Sequence, residues 1–189
     1  MKVEQLMSRE VGTCHPDDTL NDAARVMWEC DCGGVPVVAA DGTRRVVGML
    51  TDRDVCMAAY FQGRGLGQIR VSETMSTCVH ACRPGDALRE AEALMRSAQV
   101  HRLPVVDEAG ALLGILSLAD LAGEAAREVA AQGAKRPRVR SAEVGETLAE
   151  ICRPRKGAVQ AAPAALRAAP AGPARARRRP LRSKAGPDC

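Results

Sequence analysis

The sequence GMLTDRD at residues 48–54 recurs as GILSLAD at residues 114–120. Upstream of these two stretches, VPVV at residues 35–38 recurs as LPVV at residues 103–106. Aligning the chain with itself at an offset of 68 positions gives 14 identities over the 40 positions of residues 3–42, several times what chance would produce. The sequence therefore contains two consecutive copies of one unit, each of roughly 60 residues.

Each copy is predicted to contain the same elements in the same order: an extended segment, a helix, two strands joined by a tight turn, and a second helix. Because so few strands cannot bury both faces of a sheet, we expect the copies to pack against each other as a pseudo-twofold pair. The landmark residues are Pro16 and Pro84 at the ends of the extended segments, Asp18 and Asp86 as N-caps of the first helices, Gly42 and Gly110 in the turns, Thr51 and Ser117 at the starts of the second helices, and Tyr60 and Ala131 near their ends, with strands over 35–39, 46–50, 103–106 and 112–116.

Composition separates a body from a basic tail. Residues 1–134 carry 13 Lys+Arg and 19 Asp+Glu, whereas residues 135–189 carry 14 and 4. Ala, Arg, Pro and Gly supply 28 of the 37 residues in 153–189, which therefore cannot bury enough apolar surface to offset the entropy of ordering. We predict a disordered tail over 153–189. The other predicted segments are the first copy at 1–61, a linker at 62–70, the second copy at 71–131, and a linker with a short helix at 132–152.

The short helix is predicted to run from Ser141 to Cys152. Ser141 is a residue type that caps helix N-termini well. Val144, Leu148 and Ile151 recur at helical spacing, so we expect them to form its apolar face.

The duplicated motifs resemble a tandem pair of CBS domains, the module named after cystathionine β-synthase. The resemblance covers residues 3 to about 131 and includes the Met-Ser pairs Met7-Ser8 and Met75-Ser76 near the start of each copy. It implies an α+β fold of two β-α-β-β-α repeats packed as a pseudo-twofold pair. The function it implies is that of a non-catalytic regulatory module.

A hydroxyl residue three positions before an aspartate recurs at the start of each second helix, as Thr51 with Asp54 and Ser117 with Asp120. One interpretation is a capping box, in which the two side chains satisfy free backbone N–H groups. The other is ligand binding, because a helix N-terminus attracts anions and a carboxylate can accept both hydrogen bonds of a ribose diol. The family resemblance implies the second role, since adenosine nucleotides use these positions in CBS modules. The two roles are compatible.

The two copies differ at the start of the first strand of their predicted hairpin. His101-Arg102-Leu103-Pro104 resembles the strand entry in the regulatory γ subunit of AMP-activated kinase, where the basic pair helps to hold phosphates, whereas the first copy has Gly33-Gly34. An arginine can bind a phosphate through two parallel hydrogen bonds. We therefore hypothesise a phosphate site with His101 and Arg102, and with Asp54 or Asp120 on the ribose. The alternative is that Arg102 is a solvated surface charge.

No catalytic or metal site is predicted. The sequence has no evident Ser/His/Asp arrangement, Walker loop or G-x-G-x-x-G motif. The eight cysteines lack the spacing of zinc sites, so we interpret them as small apolar fillers or loop thiols. Trp28 is expected at a subunit or repeat contact.

Three classes of function remain open. The favoured one is a stand-alone module that requires no cofactor and binds AMP, ADP, ATP or S-adenosylmethionine as a regulatory ligand, forms a homodimer by resemblance, and acts on an unknown effector protein. The second is a ligand-free dimerisation module. The third is nucleic-acid binding through the basic tail, which we do not favour because such a tail is more often simply solvated. No apolar run approaches the ~20 residues of a membrane helix and no signal peptide follows Met1, so we expect a cytoplasmic protein without a membrane partner.

Overall fold

The computed structural model describes residues 1–130 and 139–153, and within them the predicted α+β fold of two repeats is confirmed. The predicted tail beyond Arg153 and residues 131–138 of the predicted repeat end and linker lie outside the described residues. The elements are α1 (Leu20–Glu29), β1 (Gly34–Val38), β2 (Val46–Thr51), α2 (Asp52–Gln62), α3 (Leu88–Ala98), β3 (Arg102–Val106), β4 (Leu112–Ser117), α4 (Leu118–Ala130) and α5 (Ser141–Ile151), with 3-10 turns at Val3–Gln5, Leu66–Gln68 and Val71–Glu73.

Each repeat contains an antiparallel hairpin, β1 with β2 and β3 with β4. The predicted turn glycines, Gly42 and Gly110, both have φ of 81°, a conformation that side chains with a Cβ rarely adopt. A single residue of each extended segment adds to the sheet, because Cys14 bridges Val37 and Cys82 bridges Val105, both in parallel. Because the two strands are antiparallel, the end of β2 and the start of α2 lie beside the start of β1. In the second repeat, the end of β4 and the start of α4 lie beside the start of β3.

The first residues of each repeat cross to the other repeat. Ser8 bridges Ile115 in β4, and Ser76 bridges Met49 in β2, each through a pair of 2.9 Å backbone hydrogen bonds. This exchange explains the glycine of the recurring motif, because a methyl group on Gly48 would lie 2.7 Å from the Met75 sulfur. The two repeats are therefore joined reciprocally, as the pseudo-twofold packing requires.

Two hydrophobic cores reflect this exchange. Val3 and Met7 are buried in the core of the second repeat, whereas Ile69 and Val71 are buried in the core of the first. The two hairpin ends also meet, since the Val46 N–H donates to the carbonyl oxygen of Gly110 at 3.0 Å. Separating the repeats would expose both cores.

The predicted N-caps of the first helices are wrong by one residue. Thr19, not Asp18, caps α1, and its hydroxyl accepts a hydrogen bond from the Asp22 N–H. Ala87, not Asp86, precedes α3 and offers no capping oxygen. Asp18 and Asp86 instead accept hydrogen bonds from the N–H groups three residues before them, at 2.7 Å, and so close the turn that leads into each helix.

The helix α5 forms where it was predicted, but its cap and its buried face differ from the prediction. Arg140 is the N-cap and Ser141 is the first helical residue. Ile151 is buried and Val144 packs against the core, as predicted, whereas Leu148 is 45% exposed and its place in the buried face is taken by Thr147. Its hydroxyl donates to the Glu143 carbonyl oxygen at 2.8 Å and accepts from Arg96 at 3.1 Å, so a polar residue satisfies its hydrogen bonds inside the contact between α5 and α3.

Candidate functional site

The starts of α2 and α4 are built identically. In the first repeat the Thr51 hydroxyl donates to Asp54 Oδ2 at 2.6 Å, the Thr51 N–H donates to the same oxygen at 3.0 Å, and the Asp54 N–H donates to the Thr51 hydroxyl at 3.3 Å. Ser117 and Asp120 form the same three hydrogen bonds at 2.6, 2.8 and 3.2 Å. Both pairs are capping boxes, so the structural role considered for these residues is realised in full.

Capping leaves part of each carboxylate available. Every hydrogen bond that the two carboxylates accept in the capping boxes uses Oδ2, and Oδ1 of Asp54 or Asp120 has no partner among the described residues. Both aspartates are half-buried. A free carboxylate oxygen at a helix N-terminus can accept a hydroxyl donor while the other oxygen continues to hold the helix start.

Arg102 belongs to the second repeat, but its side chain reaches the first. Its Nη1 donates a 3.0 Å hydrogen bond to the carbonyl oxygen of Gly34, the residue that pairs with Thr51 across the β1–β2 ladder. The guanidinium is half-buried, and its remaining N–H groups have no partner in the part of the chain that the structure describes. Arg102 therefore brings an incompletely bonded cation to the edge of the sheet from which α2 begins.

The two glycines at the start of β1 make room for this arginine. A methyl group on Gly34 would lie 2.6 Å from Arg102 Nη1, and one on Gly33 would lie 3.5 Å from Nη2. The same methyl group on Gly33 would lie 3.0 Å from Asp52 Oδ2. Asp52 is thus the acidic neighbour of Arg102 at this point, although the two do not form an ion pair. Asp52 was not predicted from the sequence as a site residue; its place as the first residue of α2, directly after Thr51, was the signal for it.

His101 is less engaged than its neighbour. Its carbonyl oxygen accepts from the Leu118 N–H at 2.9 Å, which ties the start of β3 to the start of α4. Its ring is exposed and has no hydrogen-bond partner among residues 1–130 and 139–153. The structure therefore brings Arg102, Thr51 and Asp54 to one edge, and leaves His101 beside Ser117 and Asp120 at the other.

The two buried thiols resist ionisation. Cys14 and Cys82 occupy equivalent positions in the two cores, and burial, with a smaller contribution from Asp18 or Asp86, raises the pKa of each thiol to about 12. Cys30, Cys56, Cys78 and Cys152 are exposed, and the seven described cysteines are all free. No three His, Cys, Asp or Glu side chains of the described residues cluster so that they could hold a metal ion.

Trp28 lies on the surface at the end of α1, where 87% of it is exposed. At this exposure it is not packed between the repeats, and a contact between subunits stays a prediction. None of the helices in residues 1–130 and 139–153 combines the length and the apolar character needed to cross a bilayer.

Comparison with known proteins gives one family. The family model described as CBS domain matches residues 3–60 and 71–127. The CBS domain-containing protein YhcV of Bacillus subtilis is 41% identical over 120 residues, which cover 64% of this chain and 82% of YhcV. Inosine-5'-monophosphate dehydrogenases and homoserine O-acetyltransferases also match, but the chain covers only 20% to 25% of their length.

Solved structures give the same fold. The structure of Hypoxic Response Protein I with two coordinated zinc ions has a TM-score of 0.58 and 29% identity, and the match covers 65% of this chain and 98% of that protein. The CBS domain pair of protein MJ0100, in complex with 5'-methylthioadenosine and S-adenosyl-L-methionine, has a TM-score of 0.59 and 20% identity, covering 70% of this chain and 98% of that pair. The second likeness, at this identity, concerns the fold alone.

Proposed function

The chain belongs to the CBS domain family and carries two CBS domains in tandem, and from this premise we propose that it is a non-catalytic regulatory module that binds an adenosyl ligand between its repeats. The observation that carries the proposal is the reach of Arg102 across the repeats. It brings a half-buried guanidinium with free donors to the strand edge that leads into Thr51 and Asp54. The first repeat would supply Asp54, which accepts hydrogen bonds from the ribose. The second repeat would supply Arg102, which donates hydrogen bonds to a phosphate or carboxylate of the ligand.

We call the regions beside Thr51–Asp54 and beside Ser117–Asp120 the two clefts; they differ, and we assign the ligand to the first. The repeat relation makes Arg102 equivalent to Gly34, so the side chain that crosses in one direction is absent in the other. The cleft at Ser117 and Asp120 has the same capping box but receives no arginine from the opposite repeat. Among the described residues His101 is the basic side chain beside this site, and its ring has no hydrogen-bond partner there.

Charge narrows the ligand class. A side chain on Gly33 or Gly34 would meet the guanidinium of Arg102 and the carboxylate of Asp52, and the adjacent Thr51 is hydrogen-bonded to the carboxylate of Asp54. Several phosphates would need further cations, because carboxylates repel them in a partly buried site. Of the candidate ligands AMP, ADP, ATP and S-adenosylmethionine, we therefore place AMP and S-adenosylmethionine first. The complex of the MJ0100 pair with 5'-methylthioadenosine and S-adenosyl-L-methionine supports S-adenosylmethionine, since neither compound carries a phosphate.

The alternative is a structural module whose clefts stay empty. The observation in its favour is that one oxygen of each aspartate is already committed to a capping box. Under this alternative the module dimerises and contacts an effector protein without a small ligand. Nucleic-acid binding through the basic tail concerns residues outside the described part of the chain, and it remains a separate prediction.

Titration calorimetry with AMP, ATP and S-adenosylmethionine tests the proposal. We expect Asp54→Asn and Arg102→Gln each to weaken AMP binding by at least about tenfold, since each removes a charged hydrogen-bonding partner. Asp120→Asn is the matched control, because it perturbs the equivalent capping box and leaves the proposed ligand contacts intact. Absence of heat from all three ligands at millimolar concentration, or equal losses for Asp54→Asn and Asp120→Asn, would overturn the assignment.

A further inference from the structure

Asp52 has an unused carboxylate oxygen beside the start of β1. Its N–H donates to the Gly33 carbonyl oxygen at 3.3 Å, which ties the first residue of α2 to the residue before β1. Its Oδ1 accepts a hydrogen bond from the Arg53 N–H at 2.6 Å, whereas Oδ2 has no hydrogen-bond partner among residues 1–130 and 139–153. Asp52 is also exposed. The backbone therefore holds this carboxylate in place, and one of its oxygens remains free for a donor.

Arg102 and Asp52 both approach the empty space at Gly33. A methyl group on Gly33 would lie 3.0 Å from Asp52 Oδ2 and 3.5 Å from Arg102 Nη2. Although the two side chains carry opposite charges, neither forms an ion pair within the described part of the chain. Arg102 thus keeps a free donor, and Asp52 keeps a free acceptor, next to the same opening.

The second repeat has no equivalent of this pair. The repeat relation places Leu118 at the position of Asp52 and His101 at the position of Gly33. Leu118 packs against the core of the second repeat, and its N–H donates to the His101 carbonyl oxygen at 2.9 Å. The same backbone contact therefore occurs in both repeats, but the acidic side chain occurs only in the repeat that Arg102 reaches.

A zwitterion suits these two side chains better than a phosphate does. The carboxylate of an α-amino acid accepts hydrogen bonds from a guanidinium, and its ammonium group donates to a carboxylate. Both groups are bonded to one carbon atom, so a single head group can contact Arg102 and Asp52 together. A phosphate would satisfy Arg102 but would bring its negative charge close to Asp52, which repels it.

We infer that Asp52 is a specificity-determining residue of the cleft assigned to the ligand, and that with Arg102 it binds the α-amino acid head group of an adenosyl amino acid. Asp54 accepts from the ribose, Arg102 contacts the carboxylate and Asp52 contacts the ammonium group. AMP, which has a phosphate at this place, binds less tightly than S-adenosylmethionine. The inference rests on the proposed function, because it concerns the ligand of the same cleft.

Titration calorimetry with S-adenosylhomocysteine and 5'-methylthioadenosine isolates the head group. Both compounds are uncharged at sulfur, and only the first carries the α-amino acid group. We expect the full chain to bind S-adenosylhomocysteine at least about tenfold more tightly, since the head group adds two charged hydrogen-bonded contacts. Equal affinities for the two compounds, or tighter binding of AMP than of S-adenosylmethionine, would overturn the inference and leave the proposed function in place. Absence of heat from all four compounds at millimolar concentration would overturn both.

Asp52→Asn keeps the size of the side chain and removes its charge. We expect this variant to weaken S-adenosylhomocysteine binding at least about fivefold more than 5'-methylthioadenosine binding, and to strengthen AMP binding about threefold, because the phosphate is no longer repelled. Glu108→Gln is the matched control. It removes an exposed carboxylate between β3 and β4, at the end of β3 opposite to Arg102, and should change none of these affinities. Equal losses for all ligands in Asp52→Asn would mean that Asp52 only supports the start of α2, which would overturn the inference.

Discussion

Gly34 and Arg102 occupy equivalent positions in the two repeats, and the guanidinium of Arg102 fills the space where a side chain on Gly34 would begin. Nη1 lies 3.0 Å from the Gly34 carbonyl oxygen and 2.6 Å from the place of a Cβ on that residue. Because these two equivalent positions meet, two arginine side chains could not both occupy the space between them. The loss of one side chain is what lets the other cross, and it makes the two clefts unequal.

Gly34→Ala is predicted to displace the Arg102 guanidinium. The added methyl group would also approach the Leu50 carbonyl oxygen at 3.1 Å, so we expect a loss of about 1–3 kcal/mol in the free energy of unfolding, measured by urea denaturation. In Gly34→Ala/Arg102→Ala the clash with the arginine is gone, and the loss should be less than the sum of the two single losses. Additive losses would mean that the two side chains do not compete for this space.

The two capping boxes are predicted to contribute equally to stability. Thr51→Ala and Ser117→Ala each remove a hydroxyl that accepts from an N–H at the helix start, and each should cost about 1 kcal/mol in urea denaturation. Only Thr51→Ala should also weaken AMP binding, since only its cleft faces Arg102. A variant without measurable loss of stability would show that water replaces the capping oxygen at that helix.

Local patterns explain what the sequence predicted well. The strands, the turns at Gly42 and Gly110, and the Thr51–Asp54 spacing are set by residues close together in the chain, and the repeat gave each of them a second, independent instance. The capping-box geometry followed directly from the three-residue spacing. The misplaced N-cap shows the limit of such patterns: Asp18 and Thr19 are both good capping residues, and only the turn made by Asp18 with the His15 N–H decides between them.

Long-range packing explains what the sequence did not predict. Leu148 fits the apolar spacing of α5 better than Thr147, but Arg96 on α3 provides the partner that lets the threonine be buried. Likewise, the sequence around Gly34 does not indicate that Arg102 of the other repeat occupies the space beside it. Both outcomes depend on how separate parts of the chain meet, which periodicity and spacing do not encode.

Glu92 is predicted to make stability depend on pH. It is only 4% exposed on α3, and burial, followed by the charge of Glu143, raises its pKa above the ordinary 4.5, against the opposing effect of Arg96 and Arg89. The folded state therefore holds this proton to a higher pH than the unfolded state does. As a result, stability should fall as the pH rises from about 4.5 through the raised pKa of Glu92.

Glu92→Gln should remove this fall and be more stable than the wild type at neutral pH, because the amide has no charge to bury. Urea midpoints measured across the acidic and neutral range test the sign. Glu146→Gln, at an exposed position on α5, is the matched control and should leave the pH profile unchanged. A Glu92→Gln profile parallel to that of the wild type would assign the pH dependence to other groups.

Thiol reactivity is predicted to divide the cysteines by burial. The thiolate is the reactive form, and a pKa of about 12 leaves almost none of it on Cys14 or Cys82 at pH values near 8. The exposed Cys30, Cys56, Cys78 and Cys152 should therefore be alkylated by iodoacetamide in the native protein, while Cys14 and Cys82 react only after unfolding. Peptide mapping by mass spectrometry at successive times distinguishes the groups, and urea provides the internal control in which all thiols react. Cys14 and Cys82 each join the extended segment of one repeat to its hairpin. Early labelling of just one of them would therefore show that its repeat opens independently of the other. That result would contradict the reciprocal joining of the repeats through Ser8 and Ser76.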